Sequence, residues 1–442
     1  MKQILVLGAG LVTPPLVRYL LDQTDLQVTV ADQFINKAQD LVKNHPRGRA
    51  LALDVNDKEK LAKVISNTDI VVSMLPWVFH PTVASICINF NKHLVTASYV
   101  KEEMRALDAE AKRRGLIFLN EVGVDPGIDH MAAMNVIDRV KKEGGEIVSY
   151  HSYCGGLPAL ESNNNPLGYK FSWSPEGAIL AATNDGRYLE DGQVIEVPGD
   201  KLFEHYWLVD IPRAGVFEVY VNRDALPYLE LYDIKNAKAI FRGTLRNVGY
   251  CETWDYFKKL GLLNRQMKFD FREVTPRQVI ANIVHGEEKD LKKEVAQYLC
   301  IPEYSLTLKK LEWLGLFSDE KLPLETVSVF EMLAYVLKNK LRYNDGEMDL
   351  LIQHHEFIAE YPGGRKKKIT STLINQGIPN GDSSMSRTVG LPVAIATTLI
   401  ARGKVNLTGV HIPILPEIYK PVLVELENFG IKFEERQSEI AG

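Results

Sequence analysis

Gln3-Ile4-Leu5-Val6-Leu7-Gly8-Ala9-Gly10 is a short apolar run that closes on two glycines. A run of this length ending in glycine reads as a buried parallel strand over 3–8. Gly8 permits a tight turn, and Gly10 lets the backbone approach a pyrophosphate. Thr13 stands where the usual third glycine would be, followed by Pro14 and Pro15. Proline is well tolerated in a first helical turn, where the amide has no intrahelical partner. Thr13 is expected to cap that turn. The helix N-terminus then offers amides and a positive dipole end to phosphate. A plain strand-to-helix turn would carry the same glycines. The placement of the motif between a strand and a helix favours a dinucleotide site.

Working outward, Leu26–Ala31 reads as a second strand, with Asp32 at its end. A carboxylate about 20 residues beyond the glycines accepts hydrogen bonds from both ribose hydroxyls and repels a 2′-phosphate. No arginine follows closely; Gln33 and Phe34 do. The residues therefore favour NAD over NADP, the plain alternative being an Asp that caps the next helix. Helical spacing runs over Leu11–Leu21 and begins again at Asn36. Further strand ends are expected at Ala50–Leu53, Ile70–Leu75, His93–Thr96 and Ile117–Asn120. Alternating strand and helix of this length means an α/β fold, a Rossmann-like doubly wound parallel sheet.

After Asp125-Pro126-Gly127 the texture changes. Strand-like stretches at Ile147–Tyr153, Gln193–Val197, Gly215–Tyr220 and Ala239–Phe241 suggest a second, more open sheet of α+β character. From Cys251 to about Asn339 the pattern is mostly helical, an all-helical insertion. Strand pattern returns over Asp349–Thr372, broken by Pro362-Gly363-Gly364, and Ser384–Ala401 reads as a helix.

The bulk numbers exclude other classes. The 442 residues suffice for two or three domains. A hydrophobic share of 45% with 25% charged residues is that of an ordinary globular protein. A net charge of −5 gives no general pull toward nucleic acid or an anionic membrane. The four cysteines (Cys87, Cys154, Cys251, Cys300) lack the paired spacing of a zinc site or redox motif and suit a reduced cytoplasm. No uninterrupted apolar run reaches the roughly 18 residues of a membrane helix. Residues 1–10 run straight into a strand, so no secretory leader is expected.

Longer motifs then point to a family. They include Val95-Thr96-Ala97-Ser98-Tyr99, the run Asn120-Glu121-Val122-Gly123-Val124-Asp125-Pro126-Gly127-Ile128-Asp129-His130-Met131, and Ser152-Tyr153-Cys154-Gly155-Gly156-Leu157-Pro158. Asn165-Pro166-Leu167-Gly168-Tyr169-Lys170-Phe171-Ser172-Trp173-Ser174-Pro175 follows. Asn222-Arg223-Asp224, Arg242-Gly243-Thr244-Leu245-Arg246 and Val389-Gly390-Leu391-Pro392 complete the set. In these motifs and their order the chain resembles the glutamate-forming saccharopine dehydrogenases from Met1 to about Ile431.

The resemblance implies oxidation of saccharopine to L-glutamate and 2-aminoadipate 6-semialdehyde through an imine, within lysine metabolism. It implies a homodimer. It also implies a nucleotide-binding domain, a substrate-binding and dimerisation domain, and a helical domain. These map onto 1–125 (with about 416–442), 126–253 with about 340–415, and 254–339. The family's NADP-using fungal members typically carry a basic residue just after the second strand. Here Ala31-Asp32-Gln33 stands there, which again suits NAD.

By resemblance, Gly10, Leu11 and Val12 cradle the pyrophosphate, and Asp54 and Val55 border the adenine. Leu75, Thr96 and Ala97 lie on the nicotinamide side. Val124, Asp125 and Pro126 close the far end, and Ser174 reaches the cofactor from the second domain. Leu75 and Val124 serve equally well as packing residues. Arg223 and Arg246 match the family's substrate arginines. Saccharopine carries three carboxylates, for which guanidinium forks are suited. Thr244 and Leu245 accompany Arg246, and Ser98 and Tyr99 are further substrate contacts. Tyr99, Asp125 and Cys154 are the candidates for proton transfer; the plain alternative is that Asp125 only orients the amine and Cys154 only packs.

Other features read as structural. His354-His355 on a strand would point to opposite faces, so no metal site is expected. Arg365–Lys368 reads as a solvated hairpin, Lys292-Lys293 and Lys309-Lys310 as exposed helix faces, and His80 and His130 as capping or core residues. Two rival readings stand beside the dehydrogenase. One is a polyamine enzyme of the carboxynorspermidine type, which would need fewer arginines. The other is a non-catalytic NAD-binding sensor.

Overall fold

A computed structural model of the protein describes residues 1–440. The first 119 residues alternate strands and helices: β1 (Lys2–Leu7), β2 (Leu26–Asp32), β3 (Gly48–Ala52), β4 (Ile70–Ser73), β5 (His93–Thr96) and β6 (Ile117–Leu119). After the helix Ile128–Lys142 come β7 (Glu146–Pro158), β8 (Gly186–Glu190), β9 (Gln193–Val197), β10 (Tyr206–Ile211), β11 (Gly215–Val221) and β12 (Ala239–Arg246). A helical stretch then contains two short strands, β13 (Lys268–Asp270) and β14 (Thr326–Ser328). The remaining strands are β15 (Asp349–Tyr361), β16 (Arg365–Gln376), β17 (Gly409–His411) and β18 (Glu434–Ile440). The chain forms two compact units. One comprises Met1–Ser152, Tyr228–Ala237 and the residues from Gln353 on; the other comprises Tyr153–Pro227 and Lys238–Ile352.

The first unit is built on a parallel sheet in the order β17-β6-β5-β4-β1-β2-β3. Ile4 to Leu7 of β1 are completely buried, as a strand covered on both faces requires. The strand order reverses between β1 and β4, and ligands of such sheets bind beyond the strand ends at that point. The helix Pro14–Asp22 starts three residues later than its apolar spacing suggests, because residues 8–13 form the glycine turn. Pro14 and Pro15 fill its first turn as expected. Thr13 does not cap it: its hydroxyl donates to the Gly8 carbonyl at 3.2 Å and ties the turn shut instead.

The helix Ser384–Ala401 lies against that turn. A Cβ on Gly390 would stand 2.7 Å from the Val12 carbonyl oxygen and 3.2 Å from the Leu16 nitrogen, so glycine sets how closely the two helices approach. The helix Ser384–Ala401 is long and apolar enough to cross a membrane by composition, yet 72% of it is buried within the protein. It is a core helix. In the same unit β16 pairs antiparallel with β18, from Lys366↔Ile440 to Thr372↔Glu434. Arg365–Lys368 thus begins β16 just past the Pro362-Gly363-Gly364 turn, as the expected hairpin requires.

In the second unit β10, β11 and β12 form an antiparallel meander, and the β8–β9 hairpin joins it through Leu189 and Ile240. The helical stretch begins with Tyr250–Lys259, whose first turn is held by Glu218. That carboxylate accepts from the amides of Gly249 (2.7 Å) and Cys251 (2.8 Å). Thr275 with Gln278, and Ser328 with Glu331, form capping boxes that start the helices Pro276–Val284 and Val329–Lys340. The insertion is not all helical, since β13 and β14 pair as a ribbon. Lys310 is also not solvated. It is 2% exposed and donates to the Gly249 carbonyl (2.7 Å) and Thr253 Oγ1 (2.6 Å).

Candidate active site

The glycine turn leaves a cradle beyond β1. Gly8 has φ 98°, and a Cβ there would press on the Met74 carbonyl oxygen at 3.1 Å. A Cβ on Gly10 would meet nothing within 4 Å, so the backbone beside Leu11 and Val12 borders open space. Asp32 holds this turn. Its Oδ2 accepts from the Ala9 amide at 2.8 Å and its Oδ1 from the Phe34 amide at 2.9 Å. Both oxygens serve the backbone of the loops they join. Asp54, just past β3, is exposed and accepts from the Asn56 amide, with half-buried Val55 beside it. Leu75 is half-buried past β4. The turn, an open Gly10 face and a helix start suit a dinucleotide pyrophosphate.

The segment after β5 lies alongside the one after β6. Val122 and Glu121 donate their amides to the carbonyls of Thr96 and Ser98, at 3.2 and 3.1 Å. The Glu121 carboxylate accepts from the Val100 amide at 2.9 Å, so Ser98-Tyr99-Val100 is clamped at both ends. Glu121 in turn meets His130 Nε2 at 2.8 Å, and His130 Nδ1 meets the Tyr232 hydroxyl at 2.5 Å. This clamp brings the Tyr99 hydroxyl to Asp125 Oδ1, 3.1 Å away. Ala97 packs on Gly123, and buried Val124 leads into a cis Asp125–Pro126 bond. Gly127 follows at φ 149°; a Cβ there would sit 2.0 Å from the Gly123 carbonyl oxygen. On the interior side, His80 reaches Ser73, Thr96 and Ser98 through its ring nitrogens.

In the second unit Arg246, at the end of β12, is 8% exposed. Its guanidinium carbon stands 4.9 Å from the Tyr169 ring centroid and 5.2 Å from that of Tyr250. Its Nη1 donates to the Leu245 carbonyl at 3.0 Å, and its Nε has no hydrogen-bond partner. Among the described residues no carboxylate pairs with it within 4.0 Å. The tyrosines do not neutralise it either: burial holds the Tyr250 hydroxyl well above the usual phenol range and pushes Tyr220 up to about 12. Thr244 is hydrogen-bonded to Tyr220. Leu245 is buried and packs on Gly155, next to buried Cys154. Arg223 has φ 61°, and its carbonyl accepts from the Arg187 amide at 2.9 Å. Ser174 is exposed and caps the helix Pro175–Ala181 through the Gly177 amide at 3.2 Å.

Gly8, Gly10, Leu11, Val12, Asp32, Asp54, Val55, Leu75, Thr96 to Tyr99 and Val124 to Pro126 thus belong to the first unit. Cys154, Ser174, Arg223 and Thr244 to Arg246 belong to the second. Sequence reasoning missed three groups: the Glu121–His130 clamp, the His80 hub, and the tyrosine walls around Arg246. Burial and pairing, which single residues do not announce, make them visible.

The model of the saccharopine dehydrogenase C-terminal domain matches residues 123–431, and that of the saccharopine dehydrogenase NADP binding domain matches 4–119. The chain belongs to the saccharopine dehydrogenase family. It is 38% identical over 450 residues to the Schizosaccharomyces pombe protein named saccharopine dehydrogenase [NADP(+), L-glutamate-forming], covering 98% of this chain and 99% of that one. It is 36% identical to the Bos taurus alpha-aminoadipic semialdehyde synthase over 98% of this chain but 47% of that longer protein. Its fold superposes on the apo L-Glu-forming saccharopine dehydrogenase of Saccharomyces cerevisiae with a TM-score of 0.90 and 34% identity, covering 99% of this chain and 100% of that one.

These matches overturn the preference for NAD over NADP read from Asp32. The matching N-terminal model is described as NADP binding, and the fungal relatives are named for NADP(+). The structure supplies the physical reason: the Asp32 carboxylate is engaged by two backbone amides, so its presence alone does not set the ribose preference.

Proposed function

We propose that this chain oxidises saccharopine reversibly to L-glutamate and 2-aminoadipate 6-semialdehyde, with NADP⁺ as hydride acceptor, within lysine metabolism. Arg246 is the observation that carries the reading. A permanently charged guanidinium, buried between two neutral tyrosines with no carboxylate partner among the described residues, is a receptor for an anionic group. A three-carboxylate substrate supplies such groups. A polyamine does not, and relatives matched along their full length are named for saccharopine.

Bound nicotinamide supplies the hydride acceptor. The chain does the rest. The Gly8–Val12 turn holds the pyrophosphate, with Asp54 and Val55 at the adenine end. Leu75, Thr96, Ala97, Val124 and Pro126 border the nicotinamide, and Ser174 contacts the cofactor. Arg246 and Arg223 bind carboxylates, with Thr244, Leu245 and Ser98 as neighbouring contacts. Tyr99 and Asp125, hydrogen-bonded to each other, orient the reacting amine and manage its proton together with Cys154. Water then splits the substrate imine. We further propose a cytoplasmic homodimer, with the cofactor, substrate and helical parts divided at 125, 253 and 339 as set out above.

The test is an absorbance assay at the reduced-nicotinamide band, with saccharopine and each dinucleotide in turn. Reduction of NADP⁺ that depends on saccharopine is expected. Cofactor binding without any reduction would leave a non-catalytic sensor as the better reading.

A further inference from the structure

Ligands of an open parallel sheet lie beyond the carboxyl ends of its strands, so the loops leaving those ends form the receiving surface. In the first unit these are residues 8–13, 33–34, 53–57, 74–79, 97–101, 120–127 and 412–415, after β1 to β6 and after β17. Lys101 is the only lysine or arginine in all seven. Both proposed ligands are anionic. The backbone of Lys101 is fixed: it is the extended residue that opens the helix Glu102–Arg105, and the Val100 amide before it is held by Glu121. Its ammonium stands 5.3 Å from the centroid of the Trp77 ring, in the loop after β4. Among the described residues no carboxylate pairs with it within 4.0 Å. Trp77 and Val78 are each 53% exposed, so an open apolar face lies beside the charge.

We propose that Lys101 binds a carboxylate of the substrate, and that Trp77 is the positioning residue that holds its ammonium between the loops after β4 and β5. The strand order decides which ligand the charge serves. Asp54 and Val55, at the adenine end, follow β3, whereas β5 lies two strands from β1 on the opposite side. Lys101 therefore faces substrate rather than adenosine. Saccharopine carries three carboxylates, of which Arg246 and Arg223 account for two. An ammonium held by an aromatic face keeps N–H donors for a ligand, which one tied to a carboxylate would not. The inference rests on the reading of the chain as a saccharopine dehydrogenase.

Steady-state kinetics with saccharopine, paired with NADPH titration by fluorescence, test it. Lys101→Met keeps the stem and removes the charge. It is expected to raise the saccharopine KM about tenfold, the scale of one charged hydrogen bond, with NADPH affinity within about twofold of wild type. Lys101→Arg should stay within about threefold of wild type. Trp77→Leu should raise the KM about threefold and add nothing in a Lys101→Met background. An unchanged KM in Lys101→Met overturns the proposal and leaves the activity assigned. A loss of NADPH affinity that matches the rise in KM moves Lys101 to the cofactor and overturns it too. A Trp77 effect that persists in full without the lysine overturns the positioning role. In the reverse direction glutamate and the semialdehyde divide the three carboxylates, so one contact predicts a raised KM for one partner. Equal rises for both would mean a diffuse attraction and overturn the contact. Wild-type protein that does not oxidise saccharopine overturns the functional reading, and this inference with it.

Discussion

The Tyr99 hydroxyl donates to Asp125 Oδ1 across 3.1 Å, joining the segment after β5 to the turn after β6. The two residues are 26 positions apart, and the Glu121 clamp makes their meeting a property of the backbone rather than of two mobile side chains. Tyr99→Phe removes the bond with little change of shape and is expected to lower kcat/KM for saccharopine about tenfold. Asp125→Ala is expected to lower it about a hundredfold. Steady-state rates at saturating cofactor decide this. Activity in Asp125→Ala within a few-fold of wild type would remove Asp125 from the chemistry.

Arg246 tests the substrate side. Lysine keeps the charge but loses the planar fork and its stacking on Tyr169 and Tyr250. Arg246→Lys is therefore expected to raise the saccharopine KM about 10- to 100-fold, the scale of a charge-assisted hydrogen bond. Cofactor affinity, followed by NADPH fluorescence, should stay near that of wild type. Equal losses for both ligands would mean a general collapse instead of a lost contact.

Asp32 now carries a structural prediction. Asp32→Ala strips the acceptors from the Ala9 and Phe34 amides and should loosen the glycine turn. An affinity loss of up to about thirtyfold for NADPH is expected, at roughly 1 kcal/mol for each of the hydrogen bonds lost. Asp32→Asn keeps one acceptor and should fall between. Titration by fluorescence gives the order, and tighter binding by Asp32→Ala than by Asp32→Asn would contradict it.

How much of this was legible beforehand differs between the two units. In the first, Ile4 to Leu7 and the following glycines carry the nucleotide fold in their own chemistry, because a doubly covered strand must be apolar throughout. β17 escaped notice since three residues cannot show a period. β18 escaped because Glu434-Glu435-Arg436-Gln437-Ser438-Glu439 is an exposed edge with no apolar face. In the second, Arg246 was legible only through its motif. Its tyrosine walls come from residues 169, 220 and 250, which no local pattern links. Lys310 illustrates the same limit, for a lysine next to a lysine reads as surface until its acceptors are seen.

Gly127 offers a stability test. At φ 149°, with Gly123 packed against its α-carbon, it has no room for a methyl group. Gly127→Ala should destabilise the fold by more than about 2 kcal/mol, read as a lowered Tm or a failure to accumulate as folded protein. A Tm within a degree of wild type would show that the turn relaxes.

Glu347 gives the pH dependence. Burial raises its pKa, but the Asn344 amide, Lys170 and Asn164 outweigh it and bring the carboxyl down to about 2. A folded-state value below the unfolded one means that the charged form stabilises the fold. That contribution is complete above the ordinary carboxylate range near 4.5 and is lost as pH falls toward 2. Glu347→Gln should lower stability by about 3 kcal/mol at pH 7, by leaving interior Lys170 unpaired. It should also flatten the Tm profile between pH 4.5 and 2. A profile as steep as that of wild type would place the acid sensitivity elsewhere.

Gly390 has a consequence for the order in which the molecule is made. The glycine turn of residues 8–13 leaves the ribosome long before the helix Ser384–Ala401 that covers its back and before β17, which finishes the parallel sheet. At the usual pace of about 5–20 residues per second, the earliest-made part of the nucleotide fold waits tens of seconds for its covering helix. Until that helix has been made, the nascent chain lacks the surface that packs on Leu16. A chain cut short before residue 384 would keep every residue of the nucleotide turn and lose the surface that packs behind it.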